Sequence, residues 1–312
     1  MEKDEQIVLF FTVDRKYLVP AAAAIESILE LHADWKLKFY LVIGDENHDW
    51  VSPLVNLIEF RGQEVSPRKV NLSEFLSLKT NLHFSPANYF RLLAADLFEE
   101  SKIIYLDSDI ILRAPLHTLW NIDLGDYPLA AVEDALVNDF HRLQLSSDEG
   151  YFNSGVMLLN LDKWRAMSLG EKVLNYILTF PDRILYADQC GLNAILKGNW
   201  MRLHPKWNVQ TELLIPSGST KKHLNKNQFQ VEEAKANPFL IHFTGVSKPW
   251  NLGSTHPYKR LFWKTLAKTP LNRKLPLNFS FANLLKTLFP LSVKKFYWRH
   301  FGKPKALNPQ VL

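Results

Sequence analysis

Short, wholly apolar runs alternating with helix-forming segments constrain this chain more than any other feature of its sequence. Ile7–Val13 is one such run, ended by Asp14. Leu37–Ile43 is a second, stopped by Gly44-Asp45, and Lys102–Leu106 is a third, ended by Asp107. Runs of that length without polar alternation read as strands buried on both faces. Between them lie segments of another kind. Pro20 opens the alanine-rich stretch Ala21–Leu31, Pro53–Phe60 carries proline in its first turn, and Pro86–Phe98 sets Tyr89, Leu92, Leu93 and Leu97 at helical spacing. Proline is preorganised for a first helical turn, and alanine has the highest helix propensity. Such alternation specifies an α/β chain whose mostly parallel sheet is flanked by helices. Ligands of such sheets sit beyond the carboxyl ends of the strands, which is where Asp14 and Asp107 fall. Further along, Val156–Leu161 reads as another strand and Leu169–Phe180 and Asp188–Leu196 as helices. The polar, aperiodic Thr211–Glu233 reads as a long loop.

Composition narrows the class. With 312 residues, 47% of them hydrophobic, the chain can bury a full core and suits one large domain plus an appendage. No stretch reaches eighteen uninterrupted apolar residues, so no helix is expected to span a membrane, and the opening MEKDEQ lacks the order of a cleavable signal peptide. The single cysteine, Cys190, excludes an intrachain disulfide framework and a cysteine-rich zinc site, and fits a reducing cytoplasm. The net charge of +5 is unevenly spread: no acidic residue follows Glu233, while fourteen of the 37 Lys and Arg do. The remainder has 23 basic against 32 acidic residues, a mildly acidic body with a basic tail. That division argues against a nucleic-acid-binding protein and for an anionic surface met by the tail alone. From about Pro270 the chain turns basic and aromatic and is expected to leave the body. Phe289–Lys305 mixes Lys294, Lys295, Arg299, Lys303 and Lys305 with Phe296, Tyr297, Trp298 and Phe301, a combination suited to an anionic membrane surface or to a docked terminal helix.

The most informative stretch is Ile103-Ile104-Tyr105-Leu106-Asp107-Ser108-Asp109. Two carboxylates one residue apart, just past a buried strand, can both reach one hard divalent cation, and Mg²⁺ or Mn²⁺ commonly shares its shell with substrate phosphates. Two solvated aspartates in a turn would leave the same pattern. Far downstream, Ile241-His242-Phe243-Thr244-Gly245-Val246-Ser247-Lys248-Pro249-Trp250 offers an imidazole that could complete a metal shell. Lys248 there is a point charge for phosphate, and Gly245 lets backbone approach it.

Together these residues resemble glycosyltransferase family 8, the retaining enzymes that include bacterial lipopolysaccharide α-galactosyl and α-glucosyltransferases. The similarity covers roughly residues 7–265. It implies a GT-A-type fold over 1–268, with a donor-binding half to about 110 and an acceptor half from 111, followed by the basic tail 269–312. Phe11-Thr12-Val13-Asp14-Arg15-Lys16-Tyr17 resembles the strand end that holds uracil and ribose, with Thr12, Asp14 and Tyr17 at the donor. Asn88-Tyr89-Phe90-Arg91-Leu92 resembles the segment whose arginine, here Arg91, contacts the donor. Asp107-Ser108-Asp109 is the metal- and donor-binding pair, and Tyr151–Asn160 resembles the strand that carries an asparagine, Asn153, to the transferred sugar. Asp188-Gln189 resembles the pair beneath the anomeric carbon. His242 through Trp250 matches H-x-x-G-x-x-K-P-W, whose histidine is the third protein ligand of Mn²⁺ or Mg²⁺. Weaker matches put Asp134 near the sugar hydroxyls, and His83 and Asn208 toward the acceptor. One departure is Cys190, where the family often has aspartate, and it leaves the donor sugar open.

The resemblance implies transfer of galactose or glucose from UDP-galactose or UDP-glucose to a saccharide acceptor. That acceptor would be lipopolysaccharide or another surface glycan, with a protein or cell-wall glycan as the alternative. A lipid-linked acceptor would suit a cytoplasmic enzyme held peripherally at the inner membrane face. Same-face attack is favoured over a covalent intermediate, because the Gln189 amide is a poor nucleophile; Asp188 is chemically better suited. Two other readings use the same residues: a sugar-nucleotide-binding protein without turnover, and a D-x-D phosphatase. The latter wants threonine or valine two positions past the second aspartate, where this chain has Ile111.

Overall fold

The structure is a computed structural model that describes residues 6–44, 49–75, 78, 85–215, 228–246, 248–281 and 283–284. In chain order its strands are β1 (Ile7–Thr12), β2 (Leu37–Gly44), β3 (Glu64–Val70), β4 (Lys102–Leu106), β5 (Ile110–Leu112), β6 (Leu129–Glu133), β7 (Phe152–Asn160), β8 (Met201–Arg202), β9 (Val209–Gln210) and β10 (Leu240–His242). Seven of them form a central sheet in the order β3-β2-β1-β4-β7-β6-β8, and β5-β10-β9 form a small second sheet. Pairings within β3-β2-β1-β4 and between β6 and β8 are parallel, whereas β7 runs antiparallel to both β4 and β6.

The apolar runs behave as their composition demands. Every residue of β1 is buried, and fully burying each large apolar side chain stabilises by roughly 1.5–3 kcal/mol. The helix Leu18–Leu31 comes close to β5, where Ser27 Oγ accepts from Leu112 N at 2.9 Å, with Ala21, Ala22, Ala23 and Ala24 all inaccessible to solvent. The helices Ser52–Phe60, Leu169–Thr179 and Ala187–Leu196 match the expected segments to within a few residues.

Several elements differ from expectation. Pro86–Leu93 winds as a 3₁₀ helix before a single α-turn at Ala94–Leu97; Ser85 and Asn88 form a reciprocal cap at its start. β7 begins at Phe152 rather than Val156, so Asn153, Ser154 and Gly155 are strand residues. β3, β5, β6, β8 and β9 were not expected. Thr211–Glu233 is not loop throughout, since Thr211–Leu214 and Gln228–Ala236 are helical. Residues past Pro270 stay on the body at first: Leu277 N donates to Trp250 O at 3.0 Å and Leu252 N to Asn278 Oδ1 at 2.7 Å. The basic aromatic stretch Phe289–Lys305 lies outside the described residues.

The reversed direction of β7 positions the site. Its first residues lie beside the exit of β4, where Asp107 N donates to Gly155 O at 2.8 Å. β10 places His242 opposite Ile110 of β5 and beside Gln210 of β9. Residues from the exits of β1, β4 and β10 and from the entry of β7 therefore face one cleft.

Candidate active site

The cleft encloses about 360 Å³. Its wall contains Thr12, Asp14, Tyr17, Arg91, Asp107, Ser108, Asp109, Asp134, Asn153, Asp188, Gln189, His242, Gly245 and Lys248, which brings together in space residues separated by more than two hundred positions in sequence. His83 lies outside the described residues. Cys190 is buried behind the wall, where its sulfur accepts from Tyr186 N at 3.1 Å. Asn208, expected toward the acceptor, does not line the cleft: it is fully buried, with its amide 3.0 Å from His242 Nδ1 and 2.9 Å from Asn153 Oδ1.

Three potential ligand atoms converge at the floor. The ligand atoms of Asp107, Asp109 and His242 all lie within 4.8 Å of one another, with His242 Nε2 3.5 Å from Asp107 Oδ2 and 3.2 Å from Asp109 Oδ1. The other oxygen of each carboxylate is engaged elsewhere. Asp107 Oδ1 receives Arg91 Nη2 at 3.0 Å and the Tyr105 hydroxyl at 2.5 Å, while Asp109 Oδ2 receives Lys248 Nζ at 2.5 Å. Two carboxylate oxygens and an imidazole nitrogen are donors suited to Mn²⁺ or Mg²⁺ with substrate oxygens completing the shell. Space is reserved for the group as well. A Cβ added to Gly155 would lie 2.2 Å from His242 Cε1 and 2.6 Å from Asp107 Oδ2, so the residues present fit a metal ion above a strand position that must stay bare.

Electrostatics sharpen this floor. Burial alone would raise the Asp109 carboxyl, but the Lys248 ammonium and the His242 ring beside it hold it well below the usual carboxylate range. Burial works against the Lys248 charge too, and Asp109 outweighs it and pushes its pKa up. Lys248 Nζ also donates to Phe243 O at 2.6 Å and lies 6.0 Å from the Tyr17 ring centroid. Burial raises the Tyr17 hydroxyl to about 12, so it stays protonated as a donor. Gly245 sits in the left-handed region at φ +69°, which favours glycine, and a Cβ there would also push on the end of the Glu212 side chain, whose Oε1 would be 2.9 Å away. Its neighbour Thr244 donates to Glu212 Oε2 at 2.5 Å and accepts from Thr211 N at 2.9 Å.

Arg91 is the hinge between this floor and the opposite wall. It is 1% exposed, and its Nε lies 3.3 Å from Asp188 Oδ2 while its guanidinium carbon sits 4.2 Å from the Tyr105 ring centroid. Burial raises the Asp188 carboxyl to about 6, with Arg91 only partly offsetting it. Ser154 ties the pair together, donating through Oγ to Asp188 Oδ2 at 3.1 Å and through N to Gln189 Oε1 at 3.1 Å. Gln189 Nε2 and Asn153 Nδ2 both donate to Asp134 Oδ2, at 3.2 and 3.0 Å. At the far end, Asp14 accepts from Lys16 N at 2.9 Å and Tyr17 N at 3.0 Å, which fixes the turn after β1. Sequence reasoning missed Tyr105, Ser154 and Glu212. Tyr105 carried a signal, because alternate residues of a strand share a face; Glu212 carried none.

Comparison with known proteins adds an independent line. A family model described as glycosyl transferase family 8 matches residues 8–252. General stress protein A of Bacillus subtilis (strain 168) is 30% identical over 87% of this chain and 97% of its own length. The lipopolysaccharide 1,2-glucosyltransferase of Escherichia coli (strain K12) is 27% identical over 83% and 77%. The chain spans only 60% of the glycosyltransferase GlyF and 35% of GlyA from Streptococcus pneumoniae serotype 4, which it also matches. Among solved structures, the galactosyltransferase LgtC in complex with donor and acceptor sugar analogs superposes with a TM-score of 0.77 at 23% identity, over 86% of this chain and 98% of that one. That likeness identifies the mixed α/β architecture as GT-A-type.

Proposed function

The chain belongs to glycosyl transferase family 8, and from that premise we propose that it transfers galactose or glucose, with retention of configuration, from UDP-galactose or UDP-glucose to a saccharide acceptor. The observation that carries the metal-dependent part of this reading is the convergence of Asp107, Asp109 and His242 over the bare Cα of Gly155. Bound there, Mn²⁺ or Mg²⁺ would supply positive charge against the departing diphosphate.

The chain's own residues divide the remaining work. Thr12, Asp14 and Tyr17 hold the uridine, and Gly245 and Lys248 meet the diphosphate. The Lys248 ammonium, buried at 7% exposure, adds a preorganised charge where the leaving group develops its own. Arg91 keeps Asp107 and Asp188 in place, and Ser108 lines the wall beside the metal pair. Asn153, Asp134, Asp188 and Gln189 receive the transferred sugar. Both ends of the Gln189 amide are already hydrogen-bonded, which supports same-face attack, with the acceptor proton passing to the departing phosphate, over attack by Gln189.

The acceptor is a surface glycan, with lipopolysaccharide the reading favoured by the E. coli relative. Among the described residues no helix is long and apolar enough to cross a membrane. Attachment at the inner face of the cytoplasmic membrane is in this reading the role of the basic aromatic tail, whose lysines, arginine and rings suit an anionic lipid surface, and binding to vesicles rich in anionic lipid that weakens with salt is the test. The test of the reaction itself is UDP release from UDP-galactose and from UDP-glucose, with Mn²⁺ or with EDTA. Metal-dependent release from one donor, lost in Asp109→Ala, is expected; no release and no metal-dependent UDP binding would overturn the reading.

A further inference from the structure

We propose that Asn208 is a positioning residue that fixes which nitrogen of His242 carries the proton and ties that choice to the sugar side of the cleft. This rests on the reading of His242 as a metal ligand given above. The argument starts from a group whose role is not in question, a backbone amide. Gly155 N–H donates to Asn153 at 3.1 Å, so the atom it meets is Oδ1. Asn208 approaches the same oxygen at 2.9 Å and must present its NH₂ group there. Its carbonyl oxygen is thereby turned to His242 Nδ1, 3.0 Å away. An amide oxygen only accepts, so Nδ1 holds a proton, and the proton that the ring gives up to a cation is the one on Nε2, which frees its lone pair there. Nε2 is the nitrogen that faces Asp107 and Asp109.

The far end of the chain of bonds demands the same orientation. Asn153 Nδ2 donates to Asp134 Oδ2 at 3.0 Å, an oxygen that accepts when ionised. Neither asparagine can flip without setting donor against donor or acceptor against acceptor. Asn208 is 0% exposed, so water cannot repair such a mismatch and the penalty is that of a buried unsatisfied group. Asn208 does not line the cleft, whereas His242 and Asn153 both do. It therefore acts only through them. A backbone N–H of β7 thus dictates, through two side-chain amides, that the imidazole offers a lone pair to a cation.

The link predicts that Asn208 variants split two properties. Asn208→Asp keeps an acceptor for Nδ1–H and removes the donor to Asn153. Asn208→Ala removes both. With histidine-¹⁵N-labelled protein, metal-free and then with Mg²⁺ and UDP, and His242→Gln for assignment, long-range ¹H–¹⁵N spectra report which ring nitrogens are protonated. Wild type and Asn208→Asp are expected to carry the proton on Nδ1, and Asn208→Ala to lose that preference. A wild-type ring with no proton on Nδ1 overturns the proposal without any variant having to fold. Calorimetric Mn²⁺ titration in the presence of UDP should show affinity weakened about 10–100-fold in Asn208→Ala and within about threefold of wild type in Asn208→Asp. UDP release at saturating metal should fall about tenfold in Asn208→Asp, the scale of a lost outer hydrogen bond; wild-type turnover there overturns the link to Asn153. A wild-type protein that binds no metal sinks the functional reading, while the tautomer still decides the role of Asn208.

Discussion

Gly155→Ala isolates the metal site with a single methyl group. The glycine lies within β7, not in a left-handed turn, so space rather than backbone freedom is what its missing side chain provides. The added Cβ would stand 2.2 Å from His242 Cε1, and ordinary contact begins at 3.4 Å, so the ring must retreat by about 1.2 Å. Behind the ring is Asn208, fully buried and bonded to Nδ1 at 3.0 Å, so the retreat is opposed. The same Cβ lies 2.6 Å from Asp107 Oδ2, so two of three ligand atoms move by several times the roughly 0.2 Å tolerance of a metal bond. Metal affinity should fall at least about 100-fold, the upper range for disturbing the groups that orient ligands. Overpacking itself should cost about 1–3 kcal/mol of stability. The assay is thermal unfolding with and without Mn²⁺ plus UDP, beside UDP release. Wild type should gain stability on adding the pair, since ligand binds the folded state, and Gly155→Ala should gain none. A variant with wild-type Mn²⁺ affinity and turnover would show that the metal does not sit over β7.

Other substitutions test the surrounding charges. Lys248→Met leaves Asp109 buried with only the His242 ring beside it, which should cost up to about 3–5 kcal/mol and slow UDP release about 10²–10³-fold; denaturant unfolding and initial rates measure the two. Arg91→Lys should be similarly damaging despite conserving charge, because an ammonium cannot span Asp107 and Asp188 while stacking on Tyr105. Asp188, raised to about 6, contributes stability present below its unfolded value near pH 4 and lost as pH rises through 6. Asp188→Asn, which mimics the protonated form, should therefore gain on wild type by about 1.4 kcal/mol between pH 5 and pH 8, the rest of a total of roughly 3 kcal/mol falling below pH 5. A pH-independent difference in unfolding free energy would refute that assignment.

The buried strands were legible because an unbroken apolar run has few other uses. β3 was not, since Glu64-Val65-Ser66-Pro67-Arg68-Lys69-Val70 is largely exposed and contains a proline, features of an edge strand that composition does not distinguish from a loop. The start of β7 was hidden for a related reason: Asn153-Ser154-Gly155 is polar because it lines the cleft, which masks strand character where function overrides pattern. Residues of the cleft were legible where motif and spacing announced them, as in Asp107-Ser108-Asp109 and His242-x-x-Gly245-x-x-Lys248. Asn208 was misplaced and Glu212 missed because a lone polar residue shows its partners only after the chain has folded.

The order in which the small sheet is completed bears on how the protein is made. β5 follows the aspartate pair directly, but its partner β10, which delivers His242 and leads to Lys248, is synthesised far later. Until that strand arrives, Asp109 has neither the ammonium nor the imidazole that hold its charge in the finished molecule. The segment to about residue 110 is therefore half a site and no independent unit. Closing a loop this long makes the step slow and its reward late. On the proposed reading, a nascent or truncated chain on the ribosome that lacks His242 and Lys248 would hold no metal and could not consume sugar nucleotide, so competence is withheld until β10 and the segment to Lys248 have emerged and folded onto the body.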